Sequence, residues 1–83
     1  MAKEAPPTAE ELRHLKELMD SAELDFANAK LAYYHGTEYK GELVGFEELS
    51  RRAEAFIAAN YTFQKARFGR VRIKLSVSRL LRE

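Results

Sequence analysis

Between Leu12 and Phe63 the apolar side chains recur at alternating steps of three and four residues, broken once by a glycine-bearing stretch, and this pattern restricts the foldable shapes more than any other feature. The first segment places Leu12, Leu15, Met19, Ala22, Phe26, Ala29 and Tyr33 on one seam of a helix. The second repeats the spacing at Phe46, Leu49, Ala53, Phe56, Asn60 and Phe63. Helices joined by a short link run antiparallel, so a turn near residue 40 sets Tyr33 against Phe46, Ala29 against Leu49, Phe26 against Ala53, Ala22 against Phe56, Met19 against Asn60 and Leu15 against Phe63. Three of these pairs match an alanine with a large side chain, which lets the layers interdigitate at the density of a protein interior. Asn60 is the polar exception, either a device that fixes register or a partly exposed residue near a bundle end.

The chain divides into a polar leader at residues 1–7, a helical hairpin at 8–68 and a basic segment at 69–83. Thr8-Ala9-Glu10-Glu11 reads as a capping box, so the first helix starts at Ala9 and runs to about His35, where Gly36 supplies a left-handed stop. Residues 36–45 form a connector with three glycines. It is expected as a compact loop with Tyr39, Leu43 and Val44 against the hairpin end, or as a two-stranded turn about Lys40-Gly41. The second helix spans about 46–68, with Glu47 and Glu48 in its first turn. Beyond Gly69 the period changes: Arg70 to Ser78 alternates polar and apolar, which favours a strand over a continued helix, and such a strand needs a partner to pair with.

With 83 residues, 46% of them hydrophobic, the fold class is mainly α: an antiparallel two-helix coiled-coil hairpin, completed to a bundle by oligomerisation, with a C-terminal β-strand or helix extension. Leu18, Leu24 and Leu31 on the first helix and Ile57 and Tyr61 on the second flank the seam and call for a cover. The net charge of +1 hides a division. Residues 1–50 carry five bases and eleven acids, net −6, whereas residues 51–83 carry nine bases and two acids, net +7. Either the two helices neutralise each other, or the basic end reaches an acidic partner. The residues assigned to partner binding are Lys65, Arg67, Phe68, Arg70, Val71, Arg72, Ile73, Lys74, Leu75, Val77, Leu80 and Leu81.

Chemistry is thinly represented. Glu11-x-x-His14 has the spacing of a di-iron helix, but no second pair or facing carboxylates accompany it, and His35 suits a helix C-terminus. No phosphate loop, nucleophile elbow or paired carboxylates occur, so the expectation is a non-enzyme without catalytic, cofactor-binding or metal residues and without a small-molecule substrate. The lack of cysteine, of a signal-like start and of any membrane-length apolar run points to a small soluble protein of the cytoplasm.

Ala29-x-x-x-Tyr33-x-x-Gly36, followed by Glu42-Leu43-Val44 and Ala53-Glu54, is similar to the helical hairpin of TolC-like outer-membrane efflux channels over roughly residues 22–54. That resemblance implies an antiparallel coiled-coil hairpin with Gly36 at a tip that contacts an adaptor. The chain has one hairpin's length and no barrel-strand pattern, so only the hairpin geometry is carried over. The function expected is an assembly or adaptor module whose partner is a second copy or another protein, reached through the hairpin flanks and the basic segment. The alternative is a sequence-independent nucleic-acid-binding accessory protein using residues 65–82.

Overall fold

A computed structural model of the chain describes residues 6–82. The leader expected at residues 1–7 therefore falls largely outside the described residues, as does Glu83. Helix α1 spans Ala9–His35 and helix α2 spans Phe46–Phe68. Between them, strands β1 (Glu38–Tyr39) and β2 (Glu42–Leu43) pair antiparallel, and a short helix α3 (Val77–Arg82) follows. No helix among the described residues is long and apolar enough to cross a membrane.

Local chemistry sets each boundary. The Glu11 amide donates to Thr8 Oγ1 at 3.1 Å, and the Thr8 hydroxyl in turn donates to the Glu11 carboxylate at 3.3 Å, so the capping box closes side chain to side chain. At the other end of α1, Gly36 adopts φ 67°, and the Thr37 amide reaches back to the Ala32 carbonyl at 2.9 Å. The chain reverses at Lys40 and Gly41, whose φ values of 55° and 83° are both positive, as a two-residue hairpin turn requires. The hairpin tip therefore lies at this β-turn, beyond Gly36.

α1 and α2 pack antiparallel along the heptad seam. Two contacts well separated along the seam report the same register: the Tyr33 and Phe46 rings are 6.4 Å apart, and Asn60 Nδ2 lies 3.2 Å from Met19 Sδ. Between these two levels Phe26, Ala29, Leu49, Ala53 and Phe56 form the buried core, and Ala22 packs against it.

Residues 70–76 are neither a strand nor a continuation of α2; of the strand and helix extensions expected, the strand does not form and a short separate helix does, at Val77–Arg82. The chain turns at Gly69 and runs back along α2 as an irregular segment with a bend at Ile73, then enters α3, where the Ser76 hydroxyl accepts from the Arg79 amide. Leu80 completes the core at 8% exposure, with Leu75, Val77 and Leu81 packed beside it. The tail thus supplies a third layer over one side of the hairpin, covering Ile57 and Tyr61, whereas Leu18, Leu24 and Leu31 stay exposed.

Candidate interaction surfaces

The tail is held where it is by side chains of the two long helices. Gln64, a buried residue on the flank of α2 that also carries Ile57, Tyr61 and Phe68, presents its amide edge to the extended chain. Its Oε1 accepts from the Arg72 and Ile73 amides at 2.7 and 2.8 Å, and its Nε2 donates to the Ile73 carbonyl at 2.8 Å. The same Nε2 donates to Asn60 Oδ1, which places the polar seam residue in this network. Tyr61 donates to the Leu75 carbonyl at 3.3 Å. Farther along, Lys30 Nζ and the Tyr34 hydroxyl donate to the Leu80 and Leu81 carbonyls at 2.8 and 2.6 Å, satisfying groups that the end of α3 leaves free. A lysine there also matches the negative end of a helix.

This arrangement separates the twelve residues assigned to partner binding into two sets. Leu80 is buried in the protein's own core, and Val71, Leu75, Val77 and Leu81 are half-buried, so the alternating apolar row is largely consumed within the chain. Lys65, Arg67, Phe68, Arg70, Arg72, Ile73 and Lys74 face outward. Phe68 stays 45% exposed between two guanidinium groups, with Arg72 at 5.0 Å and Arg67 at 5.8 Å from its ring centre. Among the described residues no carboxylate lies within ion-pair distance of Lys65, Arg67, Arg70, Arg72 or Lys74. Among the described contacts, α1 meets the basic half in an ion pair at Arg52, which binds Asp25.

Asp25 and Arg52 form a second polar cluster, on the side of the hairpin away from the tail. Arg52 reaches both Asp25 oxygens at 2.7 and 2.6 Å, Tyr39 donates to Asp25 at 2.8 Å, and Lys40 approaches at 3.2 Å. Arg52 also pairs with Glu48 at 3.1 Å and lies 5.2 Å from the Tyr39 ring centre. Burial pushes the Asp25 carboxyl up, but the hydrogen bonds from Tyr39, Arg52 and Lys40 and the Arg52 charge together hold it below the usual range. The cluster clamps the β-hairpin onto both helices, since Tyr39 and Lys40 of the hairpin and Arg52 of α2 all meet Asp25 of α1.

A groove of about 790 Å³ opens between α1 and α3, lined by Phe26, Ala27, Leu31, Tyr34, Leu80 and Leu81 with Glu23, Lys30 and Arg82 at its edges and Phe56 at its base. Leu31 in its lining is 60% exposed, and Leu24 beside it 63%. No group of three or more histidine or carboxylate side chains suited to a metal ion occurs among the described residues, and the Glu11 carboxylate is engaged with Thr8.

No protein family, curated protein or solved structure matches the chain. Sequence reasoning missed Gln64, Lys30 and Tyr34 as the residues that seat the tail. The available signal was a second stripe on α2, Ile57, Tyr61, Gln64 and Phe68, at the same three-four spacing as the seam.

Proposed function

We propose that this protein is a non-catalytic assembly module, which joins other chains through the α1–α3 groove and presents its basic tail outward. The observation that carries this reading is the apolar groove beside Leu24 and Leu31, a surface that the chain's own third layer leaves uncovered. Exposed leucines at this spacing on a helix, next to a cleft lined by core residues, fit the face of another helix. Light scattering across the micromolar range tests it. Association is expected, and Leu24→Asp with Leu31→Asp is expected to abolish it while helicity is retained; a folded wild-type chain that stays monomeric overturns the reading.

A second reading is favoured by a separate observation, the outward bases of residues 65–74 that form no ion pair among the described residues. Such a strip suits a phosphate backbone, contacted without regard to sequence. Binding to generic DNA or RNA at low salt is expected to fall steeply as salt rises and to vanish in the variant Arg70→Glu, Arg72→Glu, Lys74→Glu. Absence of binding at low salt removes this reading.

A further inference from the structure

The outer face of α1, which borders the groove at Ala27, Leu31 and Tyr34, is self-complementary. Its exposed residues run Asp20, Leu24, Ala27, Leu31 and Tyr34, and the two leucines stand at equal distances on either side of the Ala27-Asn28 peptide. We infer that the partner on this face is a second copy of the chain, with its α1 lying antiparallel across the first and the two-fold axis passing beside Ala27. This inference rests on the assembly reading above and names its partner.

Three features support that occupant. A two-fold contact brings the same patch together from both sides, so a patch that reads alike in both directions is what it needs. Antiparallel pairing about Ala27 sets Leu24 against the other copy's Leu31 twice, and the alanine at the axis, exposed and small, lets the helices approach closely. The charges agree in the same register. Glu23 of one copy comes within two residues, about 3 Å along the axis, of Lys30 of the other, inside the reach of both side chains, and Lys30 still has N–H donors beyond the one given to Leu80. Asp20 comes within one residue of the opposite Tyr34. A parallel arrangement would instead stack Glu23 on Glu23 and Asp20 on Asp20, which like-charge repulsion disfavours. The paired stretch from Asp20 to His35 is about 24 Å long at the helical rise per residue. A single helix contact of that length is smaller than the standard interface of about 800 Å² per partner, so dissociation is expected at micromolar concentration.

The chain has no cysteine, which makes single-cysteine variants clean probes. Ala27→Cys is compared with Glu54→Cys, an exposed site on α2, under mild oxidation and with a short bis-maleimide, alongside light scattering of the unmodified chain. The expected result is a reversible dimer, covalent capture of Ala27→Cys at least roughly tenfold faster than the control, and dimerisation weakened at least roughly tenfold by Ala27→Glu with unchanged circular dichroism. A dimer in which Ala27→Cys is captured no faster than Glu54→Cys overturns this interface and leaves the assembly reading standing. A chain that is monomeric throughout overturns both.

Discussion

Gln64 shows how much one side chain can decide. With its amide edge it occupies the place of a neighbouring strand, pairing with the Arg72 and Ile73 main chain where a sheet would otherwise be needed. Gln64→Ala leaves two amides and a carbonyl without that partner and is expected to lower stability by about 1–3 kcal/mol in urea unfolding. It should also speed hydrogen exchange at Arg72 and Ile73 by roughly tenfold or more before any global loosening. Asp25 carries a different signature. Because its carboxyl is more acidic in the folded protein than in the free chain, its pairing stabilises fully above the unfolded value of about 3.9 and is lost as pH falls through the lower folded value. Asp25→Asn should therefore flatten the acid limb of a stability-against-pH curve below about pH 4 and leave its slope between pH 5 and 8 unchanged.

Among the elements, α3 matters most for its size. Its six residues place Leu80 against the core cluster that contains Phe26 and Phe56. Leu80→Ala is expected to cost about 2–4 kcal/mol, read from the shift of the urea midpoint, and Leu81→Ala less, since Leu81 is only half-buried. The long helices were legible in the sequence because their information is local: Thr8, Gly36 and Gly69 act within a turn of where they stand, and the heptad seam states its own register. The tail was not. Alternation from Arg70 to Ser78 has the period of a strand, yet the segment pairs with a glutamine side chain on a helix flank, bends at Ile73 and is helical from Val77. The departure is visible at Ile73, which is 60% exposed where a uniform alternation would place it with Val71 and Leu75. Of the proposed interaction residues, the outward bases were legible from charge alone. The inward fate of Leu80 was not, because it depends on Lys30 and Tyr34, both far away in sequence.

At the scale of the whole molecule the protein is a rod of 50 × 23 × 19 Å, with a radius of gyration of 15.0 Å against about 12 Å for a compact chain of this length. Since the helices are antiparallel, the acidic and basic halves of the sequence lie side by side along the rod, so its electrostatic polarity runs across the width. The hydrogen bonds by which Gln64, Tyr61, Lys30 and Tyr34 hold the tail all end on its main-chain atoms. Those bonds grip peptide groups, which every residue but proline offers alike. Replacing Arg70, Ile73 and Lys74 together by serine should accordingly move the melting temperature by no more than about 4 °C. The outer lettering of the tail is thus free to be rewritten while its seat stays the same, so one scaffold can carry many different labels.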